Sequence, residues 1–599
     1  MKRVTFDHIG YALNEKEKTA KVIFIRINAK RDIIIPHSIT MNSEEYVVTK
    51  IAERSFSFKR NIRSLKFSND TEIQEIESKA FELCSIREII IPPSMTKLNL
   101  GCFHIADQLT KVSVMPNNPV LMSIDDKIIC KKSSIEKVDF DVLVFCIIKI
   151  DKVTIPNFIE VIGISSFENC ELQSIEFPPD SKLRIIENNA FESSKLKSIN
   201  IPPHLTKICF EAFHFSYLEK IDIPDNSELQ IIEPRAFSDS KIEKIKIPLH
   251  LTKICESVFR SCRRLKTIEI SENCELESIE KDAFICSSIE SLLIPPKLTD
   301  LQSGWCSGTK DLTKVTITPG NPRYICYDDK FVCGKSSLEK DDYDVLVFCN
   351  RCIQDDITLP NFVSIIDEYA FDRCKLKSLR IPVETKLQII DDCAFCLSNI
   401  KRISIPSQIK KIGQKAFSFC RSLRFVDFSI NSELQIFEKG IFYSSGIRRI
   451  RIPQKIKKIR KNAFCNCAKL KKVEIPQNSE LQKIDENAFR ESNIESIFIS
   501  THVKQICKFA FASCNQLRRI EFAENSELQV IGCDSFMYSK LTSFAVPSCV
   551  ETFDFNIFKS CNNLTIIEIC ENCQINLNCL RNLKNIRSAI IMIPVKKDD

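Results

Sequence analysis

The chain has 599 residues, of which 85 are Lys or Arg and 78 are Asp or Glu, so its formal net charge is +7. Hydrophobic residues make up 44% of the sequence, which excludes a disordered or collagen-like chain because such chains have too little apolar surface to bury. Charges of both signs alternate every few residues, so the composition does not favour a nucleic-acid partner.

The first 50 residues are predicted to form an N-terminal capping module. The segment begins with two basic residues, Lys2 and Arg3, but no apolar run of about 7–15 residues follows, so no signal peptide is recognised. The longest apolar stretches elsewhere fall well short of the roughly 20 residues that a membrane-spanning helix needs. The sequence therefore predicts no integral membrane segment.

From residue 51 onward a Phe recurs, usually preceded by Ala, at intervals that alternate between 22 and 24 or 25 residues after Phe371. The recurring residues are Phe56, Phe81, Phe103, Phe167, Phe191, Phe213, Phe237, Phe259, Phe284, Phe371, Phe395, Phe417, Phe442, Phe464, Phe489, Phe511, Phe536 and Phe558. A fixed period of this length indicates stacked repeats, each of which buries its apolar face against its neighbours.

Each repeat contains a strand pattern, Leu-x-x-Ile-x-Ile-Pro, as in residues 196–202. Alternating apolar and polar residues are typical of a half-buried strand, and the Pro ends it because it has no N–H to donate. A second apolar patch, such as Ile412, Ala416 and Phe417, is predicted to point inward on the return path. The fold class is therefore a β-rich repeat solenoid with coils of about 22 and 24–25 residues and short return segments.

Two segments, 107–165 and 307–369, interrupt the rhythm and match each other at a separation of 203 residues. In each one an Asp-Asp-Lys turn joins two apolar segments, which predicts an inserted hairpin. Repeats are predicted for 51–106, 166–306 and 370–562, and a C-terminal cap is predicted for 563–599.

A small residue lies three positions after most of the recurring Phe residues, and it is Cys or Ser. The Cys set is Cys84, Cys170, Cys262, Cys374, Cys420, Cys467, Cys514 and Cys561; the Ser set is Ser194, Ser216, Ser240, Ser287, Ser398, Ser445, Ser492 and Ser539. We interpret these residues as buried turn positions, because free Cys behaves as a small hydrophobe. This use of thiols favours a reducing compartment.

Two other roles are possible for cysteines outside these turn positions, namely a zinc site and a disulfide. The C-x-x-C pairs are Cys349/Cys352, Cys393/Cys396 and Cys570/Cys573; such pairs can begin a zinc site, but four converging ligands are needed. A disulfide among Cys570, Cys573 and Cys579 is the alternative for the cap. Neither is preferred over unpaired thiols, so no metal is predicted.

The seven His residues share no motif with a Cys or Ser nucleophile, and no G-x-S-x-G, phosphate-binding loop or dinucleotide fingerprint is present; 11 Gly residues leave little material for such loops. The sequence therefore predicts no enzyme, no catalytic residue and no cofactor.

The third and fifth positions of the strand pattern point away from the core, so stacked coils align them in two columns. In the C-terminal repeats the third-position column is Arg402, Phe425, Arg449, Lys472, Ser496, Arg519 and Ser543, and the fifth-position column is Ser404, Asp427, Arg451, Glu474, Phe498, Glu521 and Ala545. Arg and aromatic residues are frequent at binding hot spots. The candidate protein-binding residues are Arg402, Phe425, Arg449, Arg451, Lys472, Phe498 and Arg519, with both Phe side chains expected to be exposed. The alternative is that columns of opposite charge only stabilise and solubilise the sheet.

The repeat resembles that of the BspA-like (Treponema pallidum type) leucine-rich repeat proteins, and residues 463–476 match it closely. The turns after Asp126 and Asp329 depart from the family pattern, since Lys replaces Gly. The resemblance implies a leucine-rich repeat superhelix and a surface antigen or adhesin that binds host or microbial proteins at the cell surface or after secretion. The alternative is a cytoplasmic protein-interaction scaffold.

Overall fold

The structure of the chain is a computed structural model that describes residues 2–26, 29–99, 101–554, 556–570 and 590–593, with only the backbone described for 570 and 590–593. Within these residues all regular secondary structure is β-strand, and the strands form a β-solenoid, which confirms the predicted fold class. The chain divides into two compact units, unit 1 (Met1–Cys306) and unit 2 (Ser307–Asp599). The finer division predicted from the sequence stays a prediction.

The strands of unit 1 are β1 (Lys2–Phe6), β2 (Ile9–Asn14), β3 (Thr19–Ile25), β4 (Asp32–Ile35), β5 (Ser38–Met41), β6 (Glu44–Ile51), β7 (Ser64–Phe67), β8 (Glu75–Ile76), β9 (Glu88–Ile91), β10 (Lys97–Leu98), β11 (Lys111–Val114), β12 (Leu121–Ile124), β13 (Ile128–Lys131), β14 (Val142–Cys146), β15 (Lys152–Thr154), β16 (Val161–Ile162), β17 (Ser174–Glu176), β18 (Ile185–Ile186), β19 (Ser198–Asn200), β20 (Lys207–Ile208), β21 (Lys220–Asp222), β22 (Ile231–Ile232), β23 (Lys244–Lys246), β24 (Lys253–Ile254), β25 (Thr267–Glu269), β26 (Ser278–Ile279), β27 (Ser291–Ile294) and β28 (Asp300–Leu301).

The strands of unit 2 are β29 (Lys314–Ile317), β30 (Tyr324–Tyr327), β31 (Phe331–Gly334), β32 (Val345–Cys349), β33 (Ile357–Thr358), β34 (Ile365–Ile366), β35 (Ser378–Arg380), β36 (Ile389–Ile390), β37 (Arg402–Ile405), β38 (Lys411–Ile412), β39 (Phe425–Phe428), β40 (Ile436–Phe437), β41 (Arg449–Arg451), β42 (Lys458–Ile459), β43 (Lys472–Glu474), β44 (Lys483–Ile484), β45 (Ser496–Ile499), β46 (Gln505–Ile506), β47 (Arg519–Phe522), β48 (Val530–Ile531), β49 (Ser543–Val546), β50 (Thr552–Phe553), β51 (Ile566–Cys570) and β52 (Ile590–Ile593).

Each coil contributes one strand to each of two parallel ladders. The Leu-x-x-Ile-x-Ile segments form the first ladder, as in β15-β17-β19-β21-β23-β25, and the two-residue strands form the second, as in β40-β42-β44-β46-β48-β50. We call the solvent-facing side of the first ladder the long-strand face. Alternation of buried and exposed residues along its strands places one apolar side of the ladder in the core.

Three antiparallel strands within the first 25 residues adjoin the second ladder. Strands β1, β2 and β3 pair antiparallel in sequence, and β3 then pairs parallel with β6, which continues into β8 and β10. The pairing of β3 with β6 therefore gives the first coil a neighbour, as a stacked repeat requires, and the capping module stays a prediction.

Both predicted hairpins are present. Strands β12 and β13 pair antiparallel in unit 1, and β30 and β31 do so in unit 2. Asp125 and Asp126 have φ of 50° and 54°, and the N–H of Lys127 donates to the carbonyl of Ile124 at 3.0 Å. Asp tolerates this left-handed conformation, so the turn forms without the Gly of the family pattern. A third strand, β14 or β32, joins each hairpin to the second ladder.

A ladder of stacked Phe rings forms the centre of each unit. In unit 1 Phe191 and Phe213 stack at 5.0 Å between ring centroids with planes 2° apart, and in unit 2 Phe464 and Phe489 stack at 5.0 Å and 1°. These rings are fully buried. Their spacing matches the distance between neighbouring strands, so each added coil places one more ring on the stack.

The return turns are joined by their own hydrogen bonds. The N–H of Phe213 donates to the carbonyl of Ala236 at 2.7 Å, and the N–H of Phe464 donates to that of Ala488 at 2.7 Å. The fully buried Ala leaves room for this approach, as predicted for Ala416.

The small residue after each Phe occupies a buried position in this turn. The thiol of Cys467 donates to the carbonyl of Phe442 at 3.0 Å and lies 3.5 Å from the hydroxyl oxygen of Ser445. Cys262, Cys420, Cys514 and Cys561 repeat the arrangement. The packing interpretation of the Cys and Ser positions is confirmed for these turns.

Candidate protein-binding face

The long-strand face of unit 2 carries all the candidate binding residues. Its strands pair in parallel register: Arg402 lies opposite Phe425, Arg449 opposite Lys472, and Phe498 opposite Glu521. The two columns predicted from the sequence therefore exist as side-by-side rows. Each coil shifts a row by the strand spacing of about 4.8 Å.

The candidate residues differ in how far they reach into solvent. The Arg and Lys side chains are exposed, namely Arg402, Arg449, Arg451, Lys472 and Arg519. Phe425 and Phe498 are half-buried, whereas the sequence analysis expected exposed rings. For Phe425 the reason is visible, because long side chains of neighbouring strands cover it.

Phe425 lies between two guanidinium groups. The Cζ atom of Arg402 is 5.4 Å from the ring centroid, and that of Arg449 is 5.5 Å from it. Both distances are within the range of a cation–π contact. The ring therefore stabilises two guanidinium groups next to each other at the surface, although their like charges repel.

Farther along the face the charges are paired. Lys472 binds Glu474 at 2.8 Å and Arg519 binds Glu521 at 2.5 Å, each pair lying on one strand. The hydrogen bond from Lys472 lowers the pKa of Glu474, and the nearby Arg451 and Arg449 act in the same direction. This part of the face fits the alternative interpretation, in which charges stabilise and solubilise the sheet.

Three of the buried turn thiols have raised pKa values. Burial raises the pKa of Cys420, Cys467 and Cys514 to about 12, so these groups stay protonated at neutral pH. Cys349 is buried and Cys352 is exposed. Among the described residues no cluster of three or more His, Cys, Asp or Glu side chains could hold a metal ion.

Cys393 and Cys396 lie close together in one turn, where the N–H of Cys396 donates to the carbonyl of Cys393 at 2.9 Å. Cys393 has a φ of 53°, which bends the chain, and the hydrogen bond to Cys396 raises the pKa of Cys393. Two thiols do not complete a tetrahedral zinc site. The side chain of Cys570, together with Cys573 and Cys579, lies outside the described residues, so the cap disulfide stays a prediction.

Arg351 was not identified from the sequence. Its side chain is fully buried and donates to the carbonyls of Ala370 at 2.9 Å and Tyr369 at 3.1 Å, and it lies 4.8 Å from the centroid of Phe348. The one available signal was the comparison of the two inserts, since the matching position in the first is Ile148.

None of the described residues lies in a helix that is long and apolar enough to cross a membrane.

The BspA-type leucine-rich repeat region matches the chain in six copies, over residues 36–147, 141–265, 211–327, 346–471, 388–504 and 482–597. The chain belongs to the BspA-type leucine-rich repeat family. Family membership agrees with the solenoid and with the repeat on which the resemblance was based. A search of curated proteins found no match.

Solved structures of bacterial leucine-rich repeat proteins are similar to this family member. A leucine-rich cell surface protein from Faecalibacterium prausnitzii is 18% identical, with 87% of this chain and 95% of that chain covered and a TM-score of 0.36. A leucine-rich repeat protein from Eubacterium ventriosum is 16% identical, with 70% and 94% covered and a TM-score of 0.42. The pneumococcal vaccine antigen PcpA is 15% identical, with 99% of both chains covered and a TM-score of 0.28. Similarity at this level carries no information about a partner.

Proposed function

We propose that the chain is a non-enzymatic binding protein that contacts other proteins through the long-strand face of unit 2 at the cell surface. The observation that carries the proposal is the group formed by Arg402, Phe425 and Arg449, in which an aromatic ring and two arginines meet on an exposed sheet. Buried Arg and aromatic side chains are the residues that most often dominate binding energy at interfaces. The surface location rests on the family alone.

The geometry of the long-strand face of unit 2 is suited to protein binding. Its strands present regularly spaced side chains on a hydrogen-bonded ladder, and an ordered backbone loses little conformational entropy on binding. A partner would cover the half-buried Phe425 and pair with the exposed guanidinium groups around it.

Site-specific photo-crosslinking tests this function. A photoreactive amino acid is placed at position 449 in unit 2 or, as a matched control, at position 244, which is the same strand position on β23 in unit 1. We expect protein adducts from position 449 and far fewer from position 244. Equal adduct yields from the two positions would contradict a specific binding face.

The location needs its own test. Intact, unpermeabilised cells are labelled with a membrane-impermeant amine reagent, and the labelled fraction is compared with that of a cytosolic protein. Labelling above the control supports display at the surface. Labelling equal to the control leaves the intracellular scaffold, which the abundant free thiols of the described residues favour.

A further inference from the structure

Six basic residues form a cluster on three adjacent coils of unit 2. We define the basic cluster as Lys401, Arg402, Arg424, Arg448, Arg449 and Arg451, which flank or lie on β37, β39 and β41. All six are exposed. Among the described residues none of the six forms an ion pair with a carboxylate, although Asp427 lies on the same face.

The acidic side chain that lies opposite the cluster on the next strand is already paired with a lysine. Glu474 lies opposite Arg451 in the parallel register, but Lys472 binds its carboxylate at 2.8 Å. Arg402 and Arg449 both lie over the ring of Phe425. Among the described residues, neither guanidinium forms an ion pair or a hydrogen bond with an acceptor on the sheet.

The matching coils of unit 1 show that the fold does not require such a cluster. On β21 and β23 the lysines are paired: Lys220 binds Asp222 at 2.7 Å, Lys244 binds Glu269 on β25 at 2.5 Å, and Lys246 binds Asp225. Like charges on neighbouring strands are destabilising, so unit 2 keeps an arrangement that its own stability does not favour.

We propose that the basic cluster binds an acidic protein segment in extended conformation, with alternate carboxylates paired to Arg449 and Arg451. This inference rests on the proposed function and names its partner class. Arg449 and Arg451 flank the buried Ile450 on one strand, so they are about 7 Å apart, which is also the spacing of alternate side chains in an extended peptide. Guanidinium forks match carboxylates in a bidentate manner.

The aromatic residue of the cluster argues against a single-stranded nucleic acid. Proteins that bind such strands stack bases on free aromatic faces. Phe425 is half-buried, and two guanidinium groups lie over it, so it has no open face for a base.

The test uses the full chain and a labelled ten-residue peptide with alternating Glu and Ser. One control peptide has Gln in place of Glu, and a second has the same Glu and Ser residues in two blocks. The variant is Arg449→Ala with Arg451→Ala, and its matched control is Lys244→Ala with Lys246→Ala, the same two strand positions on β23. Circular dichroism melting verifies that both variants fold.

We expect the alternating peptide to bind the native chain and to lose about 10- to 100-fold in affinity in the Arg449/Arg451 variant, as expected for two lost charge-assisted contacts. The Lys244/Lys246 variant should keep the native affinity, the Gln peptide should not bind, and the block peptide should bind more weakly. Binding that is equal in the two variants overturns the proposal.

Other polyanions are tested in the same assay. If a sulfated polysaccharide or single-stranded DNA binds through Arg449 and Arg451 while the acidic peptide does not, the partner class is wrong. Failure of the peptide together with persistent protein adducts from position 449 refutes the acidic segment only. Loss of both refutes the binding face as well.

Discussion

The two units place the same strand pattern in different electrostatic surroundings. On β23 of unit 1, Lys244 and Lys246 are each bound by a carboxylate from another coil, whereas on β41 of unit 2 Arg449 and Arg451 form no ion pair with a described residue. The buried residues between them, Ile245 and Ile450, are alike. The buried residues therefore set the geometry of the coil, whereas the charged residues on its outer side can differ between the units without changing that geometry.

The largest expected effect tests whether the two cores are equivalent. Phe237→Ala in unit 1 and Phe464→Ala in unit 2 each remove one fully buried ring from the stack, and each should cost about 3–5 kcal/mol in the free energy of unfolding. Urea unfolding followed by circular dichroism checks the loss.

The chain's single Trp distinguishes the two changes, because Trp305 lies in unit 1 with its ring edge-on to Phe284 at 6.5 Å. Nearest-neighbour coupling in repeat proteins predicts that Phe237→Ala shifts the fluorescence transition more than Phe464→Ala does. Equal shifts would show that the two units unfold as one.

The next largest effect is expected at Asp344, which is equivalent to Asp141 of the other insert. Burial by itself would raise the pKa of Asp344, but hydrogen bonds from Lys340, Ser336 and Ser364 lower it to about 2. Because the pKa of the folded state is the lower one, this stability is present above about pH 4 and is lost as the pH falls toward 2. We expect Asp344→Asn to cost about 2 kcal/mol at neutral pH.

The control for this prediction is Asp341→Asn, which changes an exposed carboxyl of the same insert. The pKa of Asp141 in unit 1 is also lowered, by Lys137 and Ser133 against the effect of burial. Its partner Lys137 is shared with Glu160 at 2.9 Å. The midpoint of urea unfolding should therefore fall as the pH is lowered from 7 to 2, and a flat profile would contradict the assigned hydrogen bonds.

A smaller effect is expected at the turn cysteines. Cys467→Ala removes a buried thiol that donates to the carbonyl of Phe442, and we expect a loss of about 1–2 kcal/mol in the free energy of unfolding. Cys549→Ala changes an exposed thiol and should have little effect. If thermal unfolding shows no difference between these variants, the thiol hydrogen bond does not contribute to stability.

The smallest effect addresses the surface charges directly. Lys244→Gln breaks an ion pair and should lower the free energy of unfolding by about 0.2–1 kcal/mol. Arg448→Gln relieves repulsion from Arg424 and Lys471 on the neighbouring coils, so it should raise stability by a few tenths of a kcal/mol. Both effects should shrink at high salt because screening weakens them. A loss of stability in both variants would remove the contrast between the units.

Much of the candidate face could be predicted because its residues recur at fixed positions of the repeat. Residues of alternating polarity on a strand have fixed sides, so the sequence placed Arg402, Arg449 and Arg519 on the outer side correctly. It did not predict that Phe425 is half-buried, because that depends on the rotamers of arginines one coil away on either side. Likewise Cys393 and Cys396 meet through a turn with positive φ, which spacing alone does not reveal.

The sequence by itself determined the coil length, the buried ladder of Phe rings and the sites of both hairpins, since each depends on local pattern and regular repetition. Tertiary structure alone decided which charges are paired, that Arg351 is buried, and that six cations on three coils of unit 2 have no acidic partner among the described residues. Some pairs join side chains more than 20 residues apart in sequence, such as Lys244 and Glu269. The distances between such side chains are set when coils stack, so the surface that is open to a partner is known only from the folded chain.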